Sequence, residues 1–252
     1  MGAFVRAELT KIRTVRSTVW TLLLAVALSV GLAYLLGLSW RNAYDRLENF
    51  DPLVAGFMPL TLGQLPLVVF GALTVTSEYS TGTIRASLAA VPDRARFYAG
   101  KVLAGTLVAA VVAVVTVPVT FVVAQAGLGP YGTSLGADGV VPALVGACLY
   151  LTLMCAFAIG VAAALRHTAL VLGILLPVLF LGSQGLGNIP AIKAVTQYLP
   201  DQTGWVVMHL AGPQDDPRWA RDYGAWTGLA LLALWAAAAL AAGYLSLRRR
   251  DA

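Results

Sequence analysis

The sequence predicts an all-α membrane protein with six transmembrane helices, and three observations carry that expectation. Hydrophobic residues make up 59% of the 252-residue chain and charged residues only 12%, with a mean hydropathy of +0.79; a soluble domain carries about 25% charged residues. The apolar residues gather in six runs, each of about 20 residues or more, enough to cross a hydrocarbon core of about 30 Å at about 1.5 Å per residue. Within these runs apolar and polar residues do not alternate, which excludes a membrane strand barrel.

Taken in order, the elements are an interfacial helix over 1–16 and spans over 18–38, 57–77, 102–127, 140–165, 168–187 and 223–247. In residues 4–15, Phe4, Val5, Leu9, Ile12 and Val15 form one side of a helix, and Arg6, Thr10 and Arg13 the other, with Lys11 at the boundary. That pattern describes an amphipathic helix lying in the membrane interface. Glu8 falls inside its apolar arc, with two readings: an exposed i, i+3 partner of Lys11, or an inward carboxylate that orders the helix against the loop 78–101. The 18–38 run is too long for a signal-peptide core of about 7–15 residues and no small-residue cleavage pattern follows it, so it reads as a retained helix. The whole of 1–252 then forms one transmembrane domain.

Basic residues orient it. Twelve of the 17 Lys and Arg residues fall in the N-terminus, the loop 78–101, Arg166 and the tail Arg248–Arg250; Arg41, Arg46, Lys193, Arg218 and Arg221 lie on the other side. The positive-inside rule places both termini and the loop 78–101 in the cytoplasm and 188–222 outside. The net charge of +5 thus reports topology and gives no nucleic-acid footprint.

Several functions are excluded or disfavoured. No Asp, Glu, Lys, Arg or His lies in the middle of a run, whereas ion-coupled pumps commonly place ionisable groups at depth. The buried polar candidates are Gln64, Gln125 and Gln184, read either as interhelical hydrogen-bonding groups or as contacts along a substrate path. No G-x-x-x-x-G-K-S/T, H-E-x-x-H or G-x-S-x-G occurs, so no catalytic, nucleotide or metal site is expected on this chain. Cys148 and Cys155 sit seven residues apart on one helix, about 10 Å along its axis, too far for a disulfide between them. Ala233, Ala237 and Ala241 form a small-residue ridge, read as packing against helices of the same subunit ahead of the alternative, a dimer seam. The segment 188–222 is polar and interrupted by proline, and is expected to rest on the outer surface as re-entrant or interfacial helices, either gating or capping the bundle.

The loop between the second and third runs reads "SEYSTGTIRASLAAVPDRARFYAGK" at 77–101. Glu78 closes the second span, Gly82 permits a turn, Thr83 is placed to cap a short helix, and Pro92 stops it. Ile84, Leu88 and Val91 form one apolar stripe, which on the sequence alone has no core of its own and asks for a partner. Asp93 then caps a helix running through Arg94, Arg96 and Lys101 into the third span.

These stretches resemble a known family. "AELTKIR" at 7–13, the loop with Glu78, Gly82–Thr83, Pro92 and Gly100–Lys101 in order, and "YLPDQTG" at 198–204 resemble ABC-2 type ABC-transporter permeases, over nearly the whole chain. The resemblance implies an exporter's membrane subunit that works as a homodimer or paralogous heterodimer. A separate ABC ATPase would carry ATP and Mg²⁺, and drugs, lipids or peptides are candidate substrates. The short helix would be its coupling helix, with Glu78, Gly82, Thr83, Ile84, Arg85, Leu88 and Val91 meeting the ATPase. Glu8, Lys11, Arg13 and Lys101 would join it to the interfacial helix. The alternative is a self-contained six-helix channel or secondary carrier, which leaves the loop unexplained.

Overall fold

The computed structural model describes residues 2–43, 51–91, 93–217 and 219–249. Pro92, the expected helix stop, and Arg46, Arg218 and Arg250 lie outside the described residues, as does the side chain of Phe4. The helices are α1 (Gly2–Thr14), α2 (Arg16–Ala43), α3 (Pro52–Phe57), α4 (Leu60–Ser80), α5 (Ile84–Ala90), α6 (Arg94–Leu128), α7 (Val140–Leu165), α8 (Thr168–Ser183), α9 (Lys193–Thr196) and α10 (Ala225–Arg249).

Among the described residues, five helical stretches are long and apolar enough to cross a membrane: Arg16–Ala43, Pro52–Ser80, Arg94–Tyr131, Val140–Leu165 and Ala225–Arg249. The fold is therefore all-α and multi-span. The run 168–187 differs from expectation. Its helix α8 has 16 residues, about 24 Å at the α-helical rise, because the chain turns at Gln184 and at Gly185, whose φ is +90°, a conformation that a side chain resists. The run 57–77 is also interrupted: Pro59 brings no N–H to the ladder, so α3 ends at Phe57 and α4 begins at Leu60. That helix passes Glu78 and ends at Ser80, so Glu78 does not close it. Asp93 caps α6 through Oδ1, which accepts from the N–H groups of Ala95 (3.0 Å) and Arg96 (3.2 Å), and one unbroken helix carries the chain from Arg94 to Leu128.

α7 is the axis of the bundle. Most of its residues are buried, including Ala143, Ala147, Tyr150, Met154, Ala158 and Ala162, and it packs against α4, α6 and α10. The α7–α10 contact is close because glycines meet: a β-carbon at Gly160 would stand 2.5 Å from the Leu240 nitrogen, and one at Gly243 would stand 2.8 Å from the Gly160 carbonyl. Arginines then hold the last carbonyls of α10. Arg166 donates to Ser246 O and Arg94 to Leu247 O (2.8 Å), both favourable at the negative end of the helix dipole. The Ala233–Ala237–Ala241 ridge does not pack within the subunit. All three residues are exposed, and α10 instead buries Gly228, Leu229, Leu232, Ala236, Gly243 and Leu247. The outward faces are apolar, as at Trp20 (68% exposed) and Leu234 (65%), a surface suited to lipid.

Gly160→Leu should separate α7 from α10 and lower the stability of the folded protein by about 1–3 kcal/mol or more, the cost of overpacking. Gly173→Ala, where a new β-carbon meets nothing within 4 Å, should leave it unchanged or slightly higher. Thermal melts in detergent distinguish the two, and equal losses would contradict this packing.

Candidate functional site

The end of the bundle that carries the basic residues is joined by buried charge. Glu8 and Lys11 are one helical turn apart on α1, Glu78 is in the last turn of α4, and Lys101 is in the third turn of α6. Lys101 Nζ donates to Glu8 Oε2 (2.9 Å), Glu78 Oε1 (2.9 Å) and the Thr74 carbonyl (3.2 Å), which uses all three of its protons. Lys11 Nζ donates to Glu8 Oε1 (3.0 Å) and Glu78 Oε1 (2.5 Å). Two carboxylates and two ammoniums thus alternate in a closed ring linking three helices. Lys101, Glu8 and Glu78 are buried, whereas the Lys11 side chain is 48% exposed. Lys101 also lies over the Phe97 ring, 5.4 Å from its centroid. Burial pulls the Lys11 ammonium down, but its hydrogen bonds to Glu78 and Glu8 outweigh this and raise it above its ordinary 10.5. Glu8 is not the exposed partner of the first reading: it is buried, points inward to Lys101, and pairs with Lys11 at i+3 from that position.

Other residues fall outside the ring. Arg13 is exposed and lines an apolar groove of about 470 Å³ with Val19, Leu22, Leu107 and Val111. Thr83 occupies the N-cap position of α5 without a side-chain cap bond; its hydroxyl lies 2.9 Å from that of Thr81. Gly82 makes the turn at φ +70°. The apolar stripe of α5 faces the chain's own core, contrary to the expectation that it had none: Ile84 is buried, and Leu88 and Val91 pack half-buried against the same core. The outward face of α5 is Arg85, Ala86, Ala89 and Ala90. A groove of about 350 Å³ lies between α5, α1 and α4, lined by Glu78, Thr81, Thr83, Ala86 and Ser87 among others.

At the opposite end, 200–205 do not rest on the surface as expected. They are buried as a wedge between α7, α8 and α10. Glycines open the space: a β-carbon at Gly182 would fall on the Asp201 carboxylate, and one at Gly228 on the Thr203 carbonyl. Tyr150 donates to Gln64 Oε1 (2.7 Å) and to the Asp201 carbonyl (3.1 Å). Gln64 therefore sits beside the wedge, with its Nε2 on the Thr61 carbonyl (2.9 Å). Gln125 holds loops, donating to Pro52 O (3.0 Å) and accepting from the Thr133 N–H (2.9 Å), and Gln184 is exposed at the end of α8. The structure does not bring the three glutamines together. Sequence reading missed Tyr150 and Asp201; "PDQTG" held the signal, an acid and an amide inside an otherwise uncharged stretch. His209 Nδ1 approaches Asp51 Oδ2 at 3.4 Å. Cys148 and Cys155 are both free. Among the described residues, no group of three His, Cys, Asp or Glu is placed to hold a metal.

A multi-span helical bundle with a short helix clamped at one end has the form of a membrane transport subunit. Residues 4–183 match the family model described as ABC-2 family transporter protein, and the chain belongs to that family. It is a transmembrane permease component of an ABC-type exporter, a non-catalytic subunit in a multi-pass membrane fold. No curated protein matches the chain.

Lys101→Met should leave the two ring carboxylates with one ammonium and cost about 3–5 kcal/mol. Adding Glu78→Gln to it should restore much of that loss, because it removes the charge left unpaired. Stabilities of the two single variants and the double variant form the cycle that measures this, and strict additivity would mean the two residues are not coupled. For Lys11 the raised value means its contribution is complete below pH 10.5 and is lost only as pH rises through the raised value. Docking of α1, followed by proteolysis, should therefore not weaken through Lys11 below that pH.

Proposed function

We propose that the chain forms the translocation path of an ATP-driven exporter as one of two permease copies, with α5 as the coupling helix against a separate ABC ATPase. Six crossings are proposed, with α8 the shortest of them. Both termini and the loop 78–101 face the cytoplasm and 188–222 faces outward, as the basic-residue asymmetry supports. One observation carries the reading: the charge ring ties α1, α4 and α6 together at the two ends of the α5 loop. A short helix transmits force only if its attachments are stiff, and here Lys101 joins the preceding and following spans directly while Lys11 ties the preceding span to α1.

Because Ile84, Leu88 and Val91 seat α5 on the bundle, the surface proposed to meet the ATPase is Gly82, Thr83, Arg85 and Ala89, with Ile84, Leu88 and Val91 holding that surface in place. Glu8, Lys11 and Lys101 are the joint beneath it, and Arg13 marks the interface on the lipid side. Of the three glutamines, Gln64 is the one proposed for the path, because through Tyr150 it reaches the wedge. A self-contained channel or carrier gives the ring and α5 no task.

Reporter fusions should place 78–101 in the cytoplasm and 188–222 outside; a cytoplasmic signal from 188–222 would sink the six-span reading. Ala89→Trp adds bulk to the exposed face of α5 and should abolish ATPase co-purification and export while membrane abundance stays at the wild-type level. Leu88→Asp should lower both through a different route, by unseating α5, and should also increase proteolysis of the loop. Export and ATPase retention at wild-type levels in Ala89→Trp would show that α5 is not the docking element.

A further inference from the structure

Two buried oxygens in the wedge have no hydrogen-bond donor: Asp201 Oδ1 and Gln202 Oε1. They belong to groups that are already joined, since Gln202 Nε2 donates to Asp201 Oδ2 at 2.7 Å and to the Gly182 carbonyl at 3.1 Å. A carboxylic acid and a primary amide are complementary: the amide N–H donates to one carboxyl oxygen, and the acid O–H donates to the amide oxygen. The first of these bonds is present. A proton on Oδ1 would turn that orphaned acceptor into a donor.

We propose that Asp201 is a proton-binding site, that its proton favours the wedge seated between α7, α8 and α10, and that loss of this proton makes the wedge easier to open. One proton turns the orphaned Oδ1 into a donor and removes a buried charge that no cation pairs. Among the described residues, the neighbouring side chains offer no cation to offset the charge. Gln64 of α4 and Gly182 of α8 are neutral, and Tyr150 of α7 spends its hydroxyl on Gln64 and the Asp201 carbonyl. Ahead of α10, Tyr223 donates to the carbonyls of Gln197 (2.5 Å) and Gln202 (3.3 Å). Arg221 turns to Asn188 Oδ1 (2.6 Å) and the Trp219 carbonyl, while Asp222 accepts from Gln197 and Tyr198. Among the described residues no Lys, Arg or His forms an ion pair with Asp201.

Burial pushes the Asp201 carboxyl from 3.8 up to about 6, against the opposing pull of the Gln202 side-chain amide and of the Asp201 and Gln202 backbone N–H groups. A carboxyl raised in the seated state favours seating most below pH 3.8, and the advantage is lost as pH rises through about 6. With those two values the opening constant of the wedge rises about tenfold between about pH 5 and about pH 7, then levels off. The chemistry does not depend on which side the wedge faces. On the orientation proposed above, the proton comes from the external medium, and acidity outside keeps the exit closed.

The test uses the full chain in lipid nanodiscs, with one pH on both sides, so its outcome is independent of topology and of any ATPase. Infrared pH-difference spectra should show a protonated-carboxyl band that disappears with a midpoint near 6, absent from Asp201→Asn and retained in Asp222→Asn. Amide exchange in a peptide covering 198–210, divided by intrinsic rates, should rise about tenfold from about pH 5 to about pH 7. The rise should vanish in Asp201→Asn, whose amide N–H replaces the acid O–H. A band that survives in Asp201→Asn, or is lost in Asp222→Asn, overturns the assignment. If Asp201→Asn does not accumulate, the wild-type protein decides alone: a corrected exchange profile that is flat with pH, or a carboxyl midpoint near 4, refutes the site.

Discussion

One ammonium and two carboxylates taken out of water at the end of a lipid-embedded bundle must remain paired, and much of the basic end follows from that constraint. Lys101 is held by Glu8, Glu78 and the Thr74 carbonyl, so α6 is tied to both α1 and α4. Lys11 closes the ring from its solvent side. Desolvating such groups costs several kcal/mol per ion, so the ring adds little net stability over an apolar contact. Its value is geometric. Any rearrangement that separates one partner leaves a charge unpaired in a poorly screened place, and α1, α4 and α6 must therefore move together.

The short helix α5 inherits its position from this ring. It leaves the end of α4 through Gly82, lies with Ile84 buried and Leu88 and Val91 half-buried, and hands the chain to α6 at the Asp93 cap. The outward face that remains is nearly bare: Arg85, then alanines. A surface of small side chains suits close approach by a partner, and the groove of about 350 Å³ beside it opens toward Glu78.

At the other end the governing constraint is the satisfaction of backbone polar groups. Residues 200–205 are buried without belonging to a helix, and irregular backbone at such depth needs partners from protein. Tyr150, Tyr223 and Gln202 supply them, and Gly182 and Gly228 leave the room. Among the described residues the wedge is held by hydrogen bonds and shape, without an ion pair.

The sequence by itself determined the solvent, the all-α class and the family. Run length and missing charge report the hydrocarbon core, and an 18-residue apolar stretch has few other uses. It also showed Glu8 to be anomalous and Asp93 to be a cap, because both are violations or signatures of local helical periodicity. It could not tell which way the apolar stripe of α5 faces, since a periodic pattern defines a face and not its neighbour. For the same reason the alanine ridge of α10 reads as packing when the structure leaves it exposed. The α8 helix is shorter than its apolar run because the wedge's own needs turn the chain at Gly185. Closure of the charge ring and burial of Asp201 join residues 67 and 51 positions apart, Lys11 to Glu78 and Tyr150 to Asp201. Only the packing of the helices sets those distances, because periodicity carries no information beyond a single element.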